Sequence, residues 1–353
     1  MLWSQIPIAL HMTTHTTQPL LESRRIVITG GAGFIGHHSV LAALANGAEV
    51  LVIDDLRHPA PTALPPEVEL VDAELATEHA RAAITAFRPD AVLHLAAQGG
   101  VIRSFRDPVA DVEANVRATV ALIAACRDAG TPRIVFASSG GALYGHADVR
   151  PTPEDTPKAP ISPYGLAKHT CEQYLALLGG RYGITPLALR YGNVYGPLQD
   201  GTGEAGVVAI SSLKLLAGAP PEIYGDGMQT RDFVFVGDIA EANILALASR
   251  ASGAVNIATG IATPVKAVVE HLIEASGSEL EIVFHPERGG EVRDSALDVH
   301  LAKSVLNWAA STLLSEGLRT TFTSFQSSYG TPQEYPAPTS GAQHAPVAEH
   351  AAP

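Results

Sequence analysis

Tyr164 and Lys168 stand four residues apart in Ser162-Pro163-Tyr164-Gly165-Leu166-Ala167-Lys168, a spacing that places both side chains on one face of a helix. There the ammonium can stabilise its neighbour's phenolate. A free tyrosine titrates near pH ~10; bringing it to roughly neutral asks for about 3 units, or ~4 kcal/mol of differential stabilisation of the anion. One lysine and a cationic nicotinamide together can supply that. The chemistry on offer is removal of a hydroxyl proton while hydride leaves the carbon that bears it. Ser162 suits an N-cap and Pro163 the first helical position, so a helix has a local reason to begin here. Taken alone, Tyr-x-x-x-Lys also describes an ordinary surface helix.

Context comes from the start of the same half of the chain. Arg25-Ile26-Val27-Ile28 reads as a buried strand and feeds Thr29-Gly30-Gly31-Ala32-Gly33-Phe34-Ile35-Gly36. Gly30 allows the tight turn, Gly33 lets backbone amides approach a pyrophosphate, and Gly36 lets the following helix pack on the strand with its N-terminus facing the phosphates. The spacing is Gly-x-x-Gly-x-x-Gly rather than Gly-x-Gly-x-x-Gly. A second strand, 49–53, ends in Asp54-Asp55, where a carboxylate would bind ribose hydroxyls and repel a 2′-phosphate. The cofactor expected is therefore NAD, with Arg57 leaving NADP as the lesser alternative.

The elements that must hold these groups follow from periodicity. Strands near 25–29, 49–53, 67–71, 91–95, 133–137 and 185–190 alternate with helices near 34–46, 75–87, 108–129 and 162–178, which predicts an α/β fold with a doubly wound parallel sheet. Gly130 and Gly179-Gly180 are the expected helix stops. Proline-rich segments 59–66 and 151–163 read as surface loops. Residues 24–190 form the expected dinucleotide-binding domain, with returns near 234–260, and 191–328 mainly a smaller mixed α/β substrate lobe. Residues 1–23 and 329–353 are expected to be unstructured.

Of the 353 residues, 46% are hydrophobic, ample for a sizeable core. A formal net charge of −13 argues against nucleic acid or an anionic membrane as partner. The two cysteines, Cys126 and Cys171, both fall in predicted helices, which fits a reducing, cytoplasmic setting without disulfides. Met1–Leu10 lacks basic flanks and contains Pro7, so it reads neither as a leader nor as a membrane span. The 14 histidines are scattered, and no metal site is expected.

These residues resemble the extended short-chain dehydrogenase/reductase superfamily, in its nucleotide-sugar epimerase and dehydratase branch, and come closest in motif to UDP-hexose 4-epimerases. The resemblance runs from about residue 24 to about 325. Further matching segments are His94-Leu95-Ala96-Ala97-Gln98, Asp111-x-x-x-Asn115-Val116, Leu189 to Pro197, Tyr224 to Phe233, and Arg288-Gly289-Gly290-Glu291. The resemblance implies a Rossmann-like fold and tightly bound NAD, held by Gly30, Gly33, Phe34, Ile35, Gly36, Asp54, Asp72, Ala73, Leu95, Ala96, Ala97, Asn115, Tyr164 and Lys168. It implies a nucleotide-sugar substrate held by Gln98, Asn193, Val207, Arg231, Arg288, Glu291 and Ser295. A homodimer built on the helix around 116–125 and the Tyr164 helix is implied as well.

The reaction within that branch is read from Phe136-Ala137-Ser138-Ser139-Gly140-Gly141-Ala142-Leu143-Tyr144. The resemblance places a Ser or Thr proton relay here, followed by an Asp-Glu pair in 4,6-dehydratases or a Glu in uronate decarboxylases. Gly140-Gly141-Ala142 offers neither acid, which leaves C4 epimerisation of a UDP-sugar. Counted back from Tyr144, the usual hydroxyl position falls on Gly140, so the relay is assigned to Ser139, with Ser138 second. Ser295 takes the position that the resemblance sets against the sugar's C2 substituent, where a small residue leaves room for an acetamido group; Arg293 beside it raises a uronate as a further option. The alternatives are another nucleotide-sugar enzyme of the branch, a reductase of small carbonyl compounds, and a dinucleotide sensor without catalysis.

Overall fold

The computed structural model describes residues 19–201, 206–287 and 292–329. Six strands, β1 (Arg25–Thr29), β2 (Glu49–Asp54), β3 (Glu69–Asp72), β4 (Ala91–His94), β5 (Arg133–Ser139) and β6 (Thr185–Tyr191), join Gly253–Ile257 in one seven-stranded sheet. All pairings are parallel, and from one edge the order is β3, β2, β1, β4, β5, β6 and Gly253–Ile257. The strand order reverses between β1 and β4. That is the crevice where open α/β sheets bind their ligands.

Side chains alternate across the sheet as period two requires. Ile26, Ile28, Val50 and Val52 enter a core with helices Phe34–Ala45 and Val236–Ala248, whereas Val27, Leu51 and Ile53 face helices Glu78–Phe87, Ala118–Ala129 and Pro163–Tyr182. With helices on both faces, these strands are apolar throughout. Gly130 ends its helix in the left-handed region at φ 71°, which glycine adopts without a Cβ penalty.

The structure departs from the sequence reading at several places. Residues 19–23 are ordered: Leu21 is fully buried, and Leu21 and Ser23 donate backbone bonds to Asn46 and Gly47 at the end of the first helix. Gly179-Gly180 does not stop its helix, which runs on to Tyr182 and ends at Gly183, φ 72°. Gly179 packs there because a Cβ would fall 2.9 Å from the Ile184 carbonyl. The helix foreseen over 108–129 is present and runs without a break, but it contains a widened turn at Val112–Arg117 with i→i+5 bonding between Pro108–Asp111 and Ala118–Ala129.

The smaller lobe is built from helices Val207–Leu216, Val265–Ser276 and Leu314–Tyr329 around Ile223, Phe233, Val268, Leu272, Leu318 and Phe322. The stretch near 234–236, expected to return toward the core, does so through the buried Val234, although its strand, Phe233–Phe235, pairs with Asn193–Tyr195 in a separate two-stranded ribbon rather than joining the main sheet. Residues 300–308 go back to the main core, a crossing the sequence reading did not foresee. Trp308 is buried there and donates its indole N–H to the Asp238 carbonyl at 3.0 Å.

Candidate active site

Glycines shape the mouth of the crevice. Gly30 has φ +69°, and a Cβ there would fall 2.6 Å from Ala96 N. Gly36 is needed because a Cβ would fall 2.0 Å from Gly30 O. Gly31, to which the sequence reading gave no role, is equally constrained, by Val52 at 2.6 Å. Gly33 differs: its Cβ would meet nothing nearer than Gly30 O at 3.4 Å. The protein itself would tolerate alanine at 33, so glycine there serves whatever approaches from outside.

Helix Phe34–Ala45 begins at Gly33 with no side-chain cap and no acid in its first turn, leaving its first amides and positive dipole end for an anion. At the end of β2, Asp54 accepts hydrogen bonds from Ala32 N (3.0 Å) and Leu56 N (2.9 Å), which ties the glycine turn to the strand. Burial raises its pKa. Asp72 lies opposite Asp54 in the β2–β3 register, and Ala73 N donates to Asp54 O at 3.0 Å. Arg57, the feature that kept NADP open, is paired with Asp55 and Glu74. Glycine cradle, uncapped helix and ribose-facing carboxylate together fit a dinucleotide without a 2′-phosphate.

Leu95, Ala96 and Ala97 follow β4 directly, and Ala96 N donates to Thr29 Oγ1 at 3.2 Å. Behind them His94 joins Thr29 Oγ1 (Nδ1, 2.8 Å) to Thr119 Oγ1 (Nε2, 3.0 Å). Thr119 gives its own proton to the Asn115 carbonyl, so Nε2 must be the protonated ring nitrogen. Burial pushes this imidazole down to about 3.

Helix Pro163–Tyr182 starts as its sequence predicts: Ser162 Oγ accepts from Gly165 N at 3.1 Å and Pro163 occupies the first turn. Lys168 Nζ donates to the Ala137 carbonyl at 2.9 Å, and lies 4.8 Å from the Phe136 ring centre and 5.8 Å from that of Tyr164. Burial pushes its pKa down to about 8. The Tyr164 phenol goes the other way, up to about 12, through burial and the Asp111 carboxyl, with the Ser139 hydroxyl opposing. Lys168 alone therefore does not lower the phenol to the neutral range.

The two serines separate cleanly. Ser138 is buried and donates to Glu172 Oε1 at 2.6 Å, whereas Ser139, one pleat further, is partly exposed and faces Tyr164. A side chain at Gly140 would have to displace Leu297, whose Cδ1 would fall 2.3 Å from a Cβ there.

Asn115 sits in the widened turn with Nδ2 donating to Gln98 O (3.2 Å) and Asp111 Oδ1 (3.0 Å). The buried atoms Asn115 Oδ1 and Gln98 Nε2 have no partner among the described residues. Asn193 lies at the catalytic strand end, its Oδ1 3.7 Å from where a Gly141 Cβ would be. Val207 opens helix Val207–Leu216 in the smaller lobe. Arg231 lines a cleft with Tyr224, Gln229, Glu287, Val292 and Arg293, and its Nη1 donates to the Thr230 and Arg293 carbonyls. Ser295 N donates to Thr230 O at 3.2 Å, which sets it beside the short strand Thr230–Arg231. Arg288 and Glu291 lie outside the described residues.

Comparison with known proteins agrees with this layout. Residues 26–258 match the model of the NAD dependent epimerase/dehydratase family. The chain belongs to that family. A UDP-glucose 4-epimerase of Mycolicibacterium smegmatis is 40% identical over 310 residues, covering 86% of this chain and 98% of that protein. The structure of UDP-glucose 4-epimerase from Thermotoga maritima with UDP-glucose superposes with a TM-score of 0.84 at 40% identity, over 86% of this chain and 99% of that one. A Thermus thermophilus UDP-glucose 4-epimerase in complex with NAD gives 0.81 at 41% identity, again over 86% and 99%.

Within this epimerase/dehydratase chain a buried polar network supports the site, and sequence reasoning missed it. Glu172 forms a two-armed ion pair with Arg190 (2.9 and 2.7 Å); Arg190 also donates to Tyr144 Oη, which donates to Asn256 Oδ1. Asn256 in turn holds the Thr152 and Asp298 carbonyls. The Tyr164 helix is thereby tied to the segment bearing Ser295 and Leu297. Asp232, next to Arg231, accepts from Thr259, Gly260 and Leu297 and fixes the same segment from the other side. Glu172 could have been found as the next i+4 step after Lys168. Arg190 and Asn256 gave no local signal. Among the described residues no group of His, Cys, Asp or Glu could hold a metal ion.

Proposed function

We propose that this protein is a nucleotide-sugar 4-epimerase that uses tightly bound NAD to invert C4 of a UDP-sugar. The observation that carries the reading is the end of β5. Ser139 faces the Tyr164 phenol, while the next three positions, Gly140, Gly141 and Ala142, present no acid or base with which to eliminate or decarboxylate. The family membership and the 4-epimerases that match nearly all of their own length support the same reaction.

NAD held by the glycine turn, the N-terminus of helix Phe34–Ala45 and Asp54 supplies reversible two-electron oxidation of a carbinol carbon. Tyr164 takes the proton of the 4-hydroxyl, directly or through Ser139, and returns it at the end of the cycle. Lys168 holds positive charge beside the phenol and is placed for the cofactor's ribose. Asn193 and Arg231, with Arg288 by resemblance, would anchor the diphosphate, so that the 4-keto sugar can turn about this tether and present its other face; Glu291, an anion, would suit a hydroxyl of the nucleotide. Oxidation and reduction cancel over a turnover, so no external reductant is consumed. Stoichiometric use of added NADPH with a simple ketone would instead support a small-carbonyl reductase.

The sugar is assigned as a plain or N-acetylated hexose. Ser295 is small and hydroxylated, and Arg293, the candidate for a uronate carboxylate, is paired with Asp226 at 2.8 Å. Ser295→Tyr should depress turnover of UDP-N-acetylhexosamines at least tenfold while sparing UDP-glucose and UDP-galactose, read as epimer formation from each. An equal effect on all of them would remove Ser295 from specificity. We place the enzyme in the cytoplasm, which suits the free, buried Cys126 and Cys171, and assign it as a homodimer. The dimer reading is supported by exposed apolar residues on the Tyr164 helix, Leu166 and Leu177, and on the segments just before 116–125, where Phe105 in Val101–Arg106, Val109 and Val112 are also more than half exposed. Among the described residues no helix is long and apolar enough to cross a membrane.

A further inference from the structure

Packed against the helix that carries Tyr164 and Lys168 is the short helix Pro108–Asp111, and its last residue has no role in the chemistry described so far. Asp111 has no exposed surface. Its Oδ1 accepts from Asn115 Nδ2 at 3.0 Å, while Oδ2 has no hydrogen-bond partner among the described residues. A buried carboxylate so sparsely bonded is costly, and an asparagine could make the same bond to Asn115. Burial raises the pKa of this carboxyl while Asn115 and the Lys168 charge oppose that, and the packing gives no reason for an acid rather than an amide here.

We propose, on the epimerase reading above, that Asp111 is a positioning residue whose negative charge sets the pH window in which Tyr164 works as base and Lys168 as cation. The groups facing the phenol are Asp111, Ser139 and Cys171; those facing the ammonium are Asp111, Glu172, Cys171 and His94, with Glu172 already committed to Arg190. His94 is neutral and Cys171 a buried thiol whose pKa is raised. Glu172 and Asp111 are thus the carboxyls of the cluster, and Asp111 is the one that acts on both members of the pair. The charge has two effects. It keeps the Lys168 ammonium protonated against burial, and it opposes ionisation of the phenol. Removing it lowers both pKa values, because a nearby anion favours a cation and disfavours a second anion.

Asp111→Asn should therefore move both limbs of the kcat/KM profile to lower pH, by about one unit, with the acid limb reporting Tyr164 and the alkaline limb Lys168. A packing role would change the height of the profile and leave its limbs in place. Asp111→Ser removes the charge with a smaller side chain and should give the same displacement, which covers an asparagine that perturbs folding. The direct readout needs no turnover: tyrosinate absorbance during alkaline titration, taken as the difference from Tyr164→Phe, gives the phenol's own midpoint. In Asp111→Asn and Asp111→Ser that midpoint should fall by a similar amount. Unmoved limbs and an unmoved midpoint would overturn the proposal and leave Asp111 neutral or merely structural. Full activity of Tyr164→Phe would sink the epimerase mechanism instead, while the titration would still decide the role of Asp111.

Discussion

At the residue scale the sharpest division lies between two adjacent serines. Pleating sends Ser138 inward to Glu172 and Ser139 outward to Tyr164. Ser139→Ala should lower kcat by about a hundredfold, the usual scale for one proton-transfer group, with little change in melting temperature. Ser138→Ala should do the opposite, destabilising by about 1–2 kcal/mol through loss of a buried hydrogen bond to the Glu172 carboxylate, which Arg190 still holds, and leaving kcat within a few fold. Thermal melts and epimerisation rates of the two variants check this; similar profiles for both would erase the distinction. Tyr164→Phe sets the floor, with turnover lower by several orders of magnitude and NAD retained. The pair Tyr164 and Lys168 and the glycine turn were legible because their chemistry depends on short spacings. The choice of Ser139 over Ser138 comes from counting back from Tyr144, and the structure agrees with it; its physical reason, which way a strand faces at its last residue, could not be read from the sequence. Nor could the reason for Gly140, which is Leu297, 157 positions further on.

Element by element, strands and helices of the sheet domain were readable from periodicity, with ends mistaken where packing overruled local signals. Gly179-Gly180 looked like a stop, but the chain continues because Gly179 fits closely against the Ile184 carbonyl and Pro186. Three histidines that looked incidental are built into elements. His37 and His38 lie in the first helix, and His94 ends β4. Burial lowers all three, His37 to about 4 and His94 to about 3 from an ordinary 6.5. The unfolded chain therefore binds more protons than the folded one below pH 6.5, so stability present above that value is lost as pH falls toward the folded values. The melting temperature should decline from neutral pH toward about pH 4–5, and His94→Gln should flatten part of that decline even if it lowers the neutral value. An unchanged slope in His94→Gln would mean that His94 does not stay neutral in the fold.

For the whole molecule, the helix that carries Tyr164 presents two different faces. Its inner face presents Lys168 and Glu172, both buried, while its outer face presents Leu166 and Leu177, 56% and 71% exposed. On the segments packed against it, Phe105, Val109 and Val112 are also more than half exposed. Isolated apolar residues on a surface need no explanation, but a contiguous patch asks for a partner. A second copy of the same face is the partner a two-fold axis supplies, with each patch meeting itself. Leu177→Asp places a charge at the most exposed point of the helix and should not disturb the monomer core, yet it should shift the protein from dimer to monomer in light scattering. Because the interface helix also holds Tyr164 and Lys168 in place, the monomer should turn over more slowly while still binding UDP. Retention of the dimer in Leu177→Asp, or a wild type that is monomeric at micromolar concentration, would place the subunit contact elsewhere or remove it.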